Sequence, residues 1–192
     1  ILNNTYLRRI YDLYGIKGLE NPKEFEGYVS RPLTLHKSIP IIDFYEGRLF
    51  NFSIIRRRIC KCPQDGYMCS LCKGLPTIDE TVHLQVNLKK GSADPFVYTF
   101  YNLTDATPNS SPGNLKISLR SISTGFYHRF INDIHVLSLN SFRNLEVGKS
   151  ISYYWIDNDI RFYKVQEISN KYVLPGQGMP IEGTNDFGDL II

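Results

Sequence analysis

The sequence has no apolar run that approaches the roughly 18 residues of a membrane-spanning helix, so no membrane span is predicted. Its charge is nearly balanced, since 22 Lys and Arg stand against 19 Asp and Glu and leave a net charge of +3. So small a surplus does not require a nucleic-acid or anionic-membrane partner. Met and Trp are scarce, with two and one residues, whereas 13 Tyr and 11 Phe favour strands.

Motifs of enzymatic catalysis are missing as well. The four histidines are scattered along the chain, and neither a serine–histidine–aspartate set nor a pair of catalytic carboxylates can be recognised. We therefore predict that the chain is not an enzyme. No cofactor is expected; the alternative is one Zn²⁺ on the cysteines described below.

The chain opens with a helix and a linker. In "ILNNTYLRRIYDLYGIKGL" the apolar residues recur three or four positions apart, which predicts an amphipathic helix over residues 1–19 that two glycines end. Residues 20–32 are polar and contain two prolines and a glycine. This composition predicts a linker.

From Leu33 onward the apolar period changes to two, which indicates strands. In "RLFNFSIIR", for example, the alternation predicts Phe50, Phe52 and Ile54 on one face of a strand. The fold class is therefore predicted to be mainly β. The alternating segments are "LTLHKSIPI", "RLFNFSIIR", "TVHLQVNL", "PFVYTFYNL", "LKISLRS", "IHVLSLN", "SISYYWI" and "IRFYKVQEI".

The strand-rich part is internally repeated. "IDFYEGRLFNFSI" is matched by "RNLEVGKSISYYW", and "SPGNLKISL" is matched by "DFGDLII". The first copy is longer by the segment that carries the cysteines. We therefore predict two tandem small β-sandwich-like domains, residues 33–120 and 121–192, with a cysteine-bearing hairpin insertion at about residues 60–76 of the first.

All four cysteines lie in "RRRICKCPQDGYMCSLCKG" with the spacing C-x-C-x6-C-x-x-C. Four thiolates in two close pairs suit one tetrahedral Zn²⁺, but the same residues could form two disulfides or remain free thiols. A thioredoxin-like centre is disfavoured because no βαβ pattern surrounds "CSLC". The arginines that precede the cysteines are typical of a solvated strand end rather than of a nucleic-acid finger. The cysteines are Cys60, Cys62, Cys69 and Cys72.

Several segments occur in an order that one protein family shares. Residues 8–19, "RRIYDLYGIKGL", have the pattern Arg-x-x-Tyr-Asp-x-Tyr-Gly-x-x-Gly-Leu. "IDFYEGRLFNFSIIRRRIC" has a turn ending in glycine before a strand, and "LPGQGMPIEGTNDFGDLII" has a Pro-Gly-x-Gly-Met-Pro turn before a Gly-Asp-Leu strand. In these motifs the chain resembles the DnaJ-type J-protein co-chaperones.

The resemblance implies a domain organisation. Residues 1–19 would be the last helix of a truncated J domain, and residues 33–120 and 121–192 would be two client-binding domains, the second truncated before the family's dimerisation segment. The His-Pro-Asp tripeptide that activates the seventy-kilodalton heat-shock partner is absent and would lie upstream of residue 1. The chain would bind unfolded or partly folded polypeptide and, in a full-length protein for which the family allows a homodimer, deliver it to that partner.

The resemblance also implies a binding site. A client segment would add alongside an exposed strand and insert an apolar side chain into a pocket that Leu33, Phe52 and Ile54 line. The alternative is that these are ordinary core residues. The nearly missing glycine/phenylalanine-rich linker and the divergent segment "SYYWIDNDIRFYKV" motivate another function, a degenerate J protein that serves as a structural subunit of a larger assembly.

The reduced pattern of one C-x-C and one C-x-x-C is similar to that of the endoplasmic-reticulum DnaJ homologues, whose cysteines are oxidised in pairs. The resemblance therefore implies disulfides Cys60–Cys62 and Cys69–Cys72. One Zn²⁺ on the same four residues is the alternative.

The same resemblance implies a location in the endoplasmic-reticulum lumen or secretory pathway, with a cytoplasmic location as the alternative. Asn-x-Ser/Thr sequons are compatible with a secretory compartment, where they can accept glycans. Four occur in the chain, at Asn3, Asn51, Asn102 and Asn109.

Overall fold

The computed structural model describes residues 5–20, 28–60, 62, 69–75, 77–107, 110–140 and 145–192. This part of the chain contains two helices, α1 (Thr5–Glu20) and α2 (Ile41–Glu46), and is otherwise built from short strands. The predicted fold class, mainly β behind a short helix, is confirmed. The strands are β1 (Tyr28–Val29), β2 (Leu33–Pro40), β3 (Arg48–Ile59), β4 (Thr77–Leu88), β5 (Phe96–Phe100), β6 (Ser110–Ser111), β7 (Leu115–Ile122), β8 (Tyr127–Phe130), β9 (Asp133–Val136), β10 (Ser150–Tyr154), β11 (Ile160–Lys164), β12 (Val173–Leu174) and β13 (Leu190–Ile191).

Helix α1 ends within one residue of its predicted end. Its backbone leaves helical geometry at Gly15, which has φ 62° and ψ −150°, a conformation that glycine adopts without steric cost. Gly15 is therefore a kink inside the helix. Residues 1–4 and 21–27 of the predicted helix and linker lie outside the described residues, and the assignment of the helix to a J domain stays a prediction.

The strands form several small sheets. In the described residues β7 lies between β2 and β5, and β3 pairs with β4. A four-stranded sheet has the order β12-β13-β9-β8, in which β9 runs parallel to β13 and antiparallel to β8. β10 and β11 form an antiparallel pair. The cysteine segment, predicted at about residues 60–76, connects the end of β3 to the start of β4.

The chain divides into two compact units. The first unit comprises residues 1–35, 51–84 and 98–117. The second unit comprises residues 36–50, 85–97 and 118–192. Helix α2 and the adjoining ends of β2, β3 and β4 thus group with the C-terminal part of the chain. The domain bounds 33–120 and 121–192 stay a prediction.

Each unit has its own apolar core. In the first unit Leu115 and Ile117 of β7 are fully buried and Leu84 of β4 is nearly so. The second unit buries both the core-facing side of α2 and the inward residues of its sheets. Its largest fully buried side chains are Ile39, Ile41, Phe44, Leu88, Leu119, Ile134, Ile151, Ile156 and Met179.

Helix α2 replaces what the sequence indicated as a turn. It begins after Pro40 and ends at Gly47, whose φ of 81° lies in the left-handed region. A Cβ at Gly47 would lie 2.9 Å from the Lys90 backbone nitrogen, so only glycine fits there. The buried Asp43 accepts a hydrogen bond from Arg48 Nη1 at 2.9 Å, which ties the helix to the first residue of β3.

Candidate functional site

Strand β3 carries two of the three predicted client-binding residues. Along this strand Phe52 and Ile54 are half-buried, whereas Asn51, Ser53 and Ile55 are exposed. The burial pattern therefore places Phe52 and Ile54 on one face, as the alternation predicted. This face is apolar and incompletely covered, which is what a pocket wall needs.

One edge of β3 is available over part of its length. Among the described residues β3 pairs with β4 alone. At Arg57 the opposite edge is occupied, because the Arg57 N–H donates to Asp105 Oδ1 at 2.8 Å and the Ala106 N–H donates to the Arg57 carbonyl at 2.8 Å. Backbone groups two residues apart point to the same edge of a strand. The peptide groups of Ser53 and Ile55 therefore face the edge that β4 does not use.

Leu33 lies at the start of the edge strand β2. Its side chain is 49 % exposed, and its N–H donates to the Asn114 carbonyl at 3.0 Å. Leu33, Phe52 and Ile54 belong to the same compact unit. All three occupy accessible or half-buried apolar positions, and their joint role in one client pocket stays a prediction.

An open cavity of about 530 Å³ lies elsewhere, in the second unit. Five of its ten lining residues are charged, and it includes none of the three client-binding positions. The charged lining residues are Glu46, Arg48, Lys89, Lys90 and Glu182.

The three arginines before the cysteines are engaged in ion pairs. Arg56 Nη2 lies 2.9 Å from Glu80 Oε2, and Arg57 Nε lies 3.3 Å from Asp105 Oδ2. Arg58 Nε lies 3.1 Å from Glu80 Oε1 without hydrogen-bond geometry, so that contact is an ion pair only. These arginines neutralise acidic residues of the same unit, which accounts for them without a nucleic acid.

The four cysteines come together as one group, which we call the cysteine cluster: Cys60, Cys62, Cys69 and Cys72. Their sulfur atoms all lie within 4.8 Å of one another. The Cys60 and Cys69 sulfurs are 3.9 Å apart, and the Cys62 and Cys72 sulfurs are 3.7 Å apart. Both contacts join the end of β3 to the turn before β4. Disulfides within C-x-C and within C-x-x-C stay a prediction.

The thiols of the cysteine cluster differ in acidity. Backbone N–H groups of Cys72 and Leu71 donate to the Cys69 sulfur and lower the pKa of its thiol to about 7. A hydrogen bond with the Cys60 thiol raises the pKa of Cys62 to about 12. Burial raises the pKa of Cys72, which is only 5 % exposed. Cys69 is therefore the sulfur best prepared to be a thiolate, the form that binds metals.

The geometry of the cysteine cluster fits a zinc site. In a regular tetrahedron with Zn–S bonds of about 2.3 Å, neighbouring sulfurs are about 3.8 Å apart. The sulfur contacts of 3.7 and 3.9 Å match this edge length. The donor set of four thiols is also the usual one for a structural zinc. All four cysteines can thus serve as ligands of one ion.

Comparison with known proteins identifies the family. The family model for the DnaJ C terminal domain matches residues 33–192. The chain belongs to the DnaJ C-terminal domain family. Among curated proteins it is similar to DnaJ protein ERDJ3B of Oryza sativa subsp. japonica, with 25 % identity over 154 residues, which cover 71 % of this chain and 44 % of that protein.

Membership of the DnaJ C-terminal domain family supports a co-chaperone role and confirms the resemblance that the motifs indicated. The alignment spans less than half of the rice protein. In the described part of this DnaJ C-terminal domain, no helix is long and apolar enough to cross a membrane.

Sequence reasoning missed the residues that support the candidate site. Glu80 and Asp105 hold the three arginines, yet each lies 20 or more residues away along the chain. No local pattern could have paired them. The N–H groups that donate to the Cys69 sulfur could have been anticipated, since a C-x-x-C turn directs its backbone amides at the first sulfur.

Proposed function

We propose that this chain is the client-binding part of a DnaJ-type co-chaperone. It holds unfolded or partly folded polypeptide by apolar segments and, in the full-length protein, passes it to a seventy-kilodalton heat-shock chaperone. The chain itself catalyses no reaction. The observation that carries the proposal is strand β3, which combines a half-buried apolar face with an edge that β4 does not use.

The proposed mode of binding is strand addition. An extended client segment hydrogen-bonds to the peptide groups of Ser53 and Ile55 on the edge that β4 does not use, which supplies affinity without regard to client sequence. An apolar client side chain then packs against Phe52 and Ile54, with Leu33 as the third contact. Burying one large apolar side chain contributes about 1.5–3 kcal/mol, enough for reversible holding.

A substitution on each face of β3 tests this proposal. Phe52→Asp puts a charge on the client face, whereas Ile55→Asp puts the same charge on the opposite, 73 % exposed face. We expect Phe52→Asp to abolish suppression of aggregation of a denatured model client, measured by light scattering, and Ile55→Asp to leave it unchanged. Leu33→Asp, at an exposed position, repeats the test with little risk to folding.

Two results would contradict client binding: no suppression by the wild-type chain, or equal suppression by the Phe52→Asp, Leu33→Asp and Ile55→Asp variants. Thermal unfolding of each variant, followed by circular dichroism, separates a lost site from a lost fold. Retention on DNA or RNA at low salt would instead indicate nucleic-acid binding, which this proposal excludes.

A second candidate function is a fixed subunit of a larger assembly. It is favoured by exposed apolar side chains in the second unit, where Phe162 is 72 % exposed and Leu137 is 62 % exposed. The rings of Phe126 and Tyr154 also pack together, 4.9 Å apart, with Phe126 half exposed. A subunit would migrate as one stoichiometric complex and would not suppress aggregation. A client-binding protein would suppress aggregation and would not migrate in a complex of fixed stoichiometry.

We also propose that the cysteine cluster holds one structural Zn²⁺. The sulfur separations and the four-thiol donor set support it, and the ion would cross-link the end of β3 to the turn before β4. Native mass spectrometry of the wild-type chain should show one zinc, which a chelator removes. Cys72→Ser should lose the ion, and Ser70→Ala in the same turn should keep it. A zinc-free mass that rises by two hydrogens per disulfide on reduction would establish the disulfides instead.

The proposed location is the endoplasmic-reticulum lumen or secretory pathway. The similarity to the rice protein named ERDJ3B supports it. Fractionation of cells that express the untagged full-length protein, with protease protection of the luminal fraction, tests it. Recovery of the protein in the cytosol would contradict it.

A further inference from the structure

The turn that follows β5 presents an asparagine to solvent. Asn102 is exposed and has φ 54°, in the left-handed region that Asn tolerates better than most residues. Its backbone is held at both polar groups. The N–H donates to Asn114 Oδ1 at 3.2 Å, and the carbonyl accepts from Arg56 Nη1 at 3.4 Å. Its side-chain amide, by contrast, has no partner among the described residues.

Asn102 is the first residue of the sequon Asn102-Leu103-Thr104. We propose that Asn102 carries an N-linked oligosaccharide, an inference that rests on the proposed secretory location. The donor is a lipid-linked oligosaccharide diphosphate. A bond forms between Asn102 Nδ2 and C1 of the first sugar, and the bond between C1 and the diphosphate oxygen breaks. The lipid diphosphate leaves with that electron pair, and the amide proton is lost to solvent.

The third residue of the sequon determines when the transfer happens. Thr104 is only 8 % exposed, and its hydroxyl accepts a hydrogen bond from the Gly113 N–H at 2.7 Å. The N–H groups of Leu103 and Thr104 both donate to the Gly113 carbonyl, at 2.8 and 3.0 Å. The sequon needs an accessible hydroxyl at this position. Asn102 is therefore modified on the nascent chain, before the turn closes.

Once the turn has closed, the glycan has room. Asn102 stays exposed after folding, and its side chain is not needed for any contact in the described residues. The neighbouring Tyr101 is 75 % exposed. A hydrophilic glycan beside this ring reduces the apolar surface that a β-rich protein presents to other chains.

Asn51 is a weaker candidate among the other sequons. It lies within strand β3, which pairs with β4. A glycan there would stand over the paired strands β3 and β4. Asn3 and Asn109 lie outside the described residues. The structure therefore assigns Asn102, which projects from a turn.

Glycopeptide mass spectrometry tests the site. The full-length protein is directed into the secretory pathway of eukaryotic cells, and we expect the peptide that contains Asn102 to carry an oligosaccharide that an endoglycosidase removes. Asn102→Gln should lose this one glycan, and Thr104→Ser, which keeps the hydroxyl, should retain it. An unmodified Asn102 in the wild-type protein overturns the proposal. Because the protein is delivered to the lumen, that result leaves the natural location to be decided by fractionation.

The timing has its own test. Wild-type protein that has folded without glycan in bacteria is incubated with oligosaccharyltransferase and donor, next to a peptide of residues 98–107. We expect the peptide to be glycosylated and the folded protein to remain unglycosylated at Asn102. Equal glycosylation of the peptide and the folded protein would contradict the inference that burial of the Thr104 hydroxyl prevents modification of Asn102.

Discussion

The two ends of strand β3 are stabilised by different forces. At the first end Phe50 is 8 % exposed, with Arg48 and Lys37 each 5.6 Å from its ring centre, and the helix before it buries Phe44 completely. At the other end Arg56, Arg58 and Ile59 are half-buried, and ion pairs and the cysteine cluster supply the contacts. Apolar burial therefore fixes the start of the strand, whereas charges and sulfur chemistry fix its tip.

This difference matters for client binding because Phe52 and Ile54 lie between the two ends. The first end should depend less on salt and redox conditions than the tip, since apolar burial involves neither screened charges nor thiols. The tip should respond to both, because partly exposed ion pairs are screened by salt and thiols depend on metal and oxidant. Strand β3 is therefore expected to be firm near Phe50 and adjustable near Arg57.

The largest expected effect tests the first end. Phe44→Ala removes a fully buried ring that also lies 5.4 Å below the Arg129 guanidinium, and should lower the free energy of unfolding by about 3–5 kcal/mol. Urea unfolding followed by the fluorescence of Trp155, the single tryptophan, measures it. Phe162→Ala is the matched control, because that ring is 72 % exposed and its loss should cost about 0.5 kcal/mol or less. Equal losses would mean that burial does not stabilise this end.

A smaller effect is expected where a charge supports the same end. Arg48→Met keeps an apolar stem over Phe50 but leaves the buried Asp43 carboxylate without its cation, which should cost about 1–3 kcal/mol. Adding Asp43→Asn removes the unpaired charge and should restore part of the loss. The same urea unfolding measures both variants. If the double variant is less stable than Arg48→Met, the unpaired Asp43 carboxylate is not the cause of the lost unfolding free energy.

At the tip, one carboxylate is shared by two arginines. Glu80→Gln weakens the contacts with Arg56 and Arg58 and should cost about 0.5–1 kcal/mol, a modest value because Glu80 is one-third exposed. Hydrogen exchange should quicken at the amides of residues 56–59 and stay unchanged at residues 48–50. The exposed Asp79→Asn on the same strand is the control. Faster exchange along the whole strand would show that the two ends are not independent.

The sequence predicted the parts of the fold that depend on local pattern. Alternation was sufficient for the two faces of β3, because apolar and polar residues alternate from Phe50 to Ile54. It failed for α2, since six residues between Pro40 and Gly47 are too few to show a helical period, and for the four-residue strand β8. The cysteines were recognised as a set from their spacing. Their arrangement across two arms of a hairpin depends on how the loop closes, which spacing does not contain.

The smallest expected effect concerns a different sheet, the one that contains β8 and β9. His128 of β8 and His135 of β9 stack across the strands with ring centres 4.8 Å apart. Burial, then the neighbouring His128, lowers the pKa of His135 below its ordinary value of 6.5, against the opposing effect of Asp133. The unfolded chain therefore binds this proton first, so stability is complete above about pH 6.5 and declines as the pH falls below it.

Replacing the neighbour isolates the cause of this acid sensitivity. His128→Phe keeps a ring stacked on His135 but removes the second positive charge, so the loss of unfolding free energy between pH 7 and pH 5 should be smaller than in the wild-type chain. Urea unfolding at a series of pH values measures the slope. An unchanged slope would mean that His128 does not contribute to the lowered pKa of His135. Because both histidines lie in a sheet that does not include β3, the pH dependence of client binding should not follow this slope.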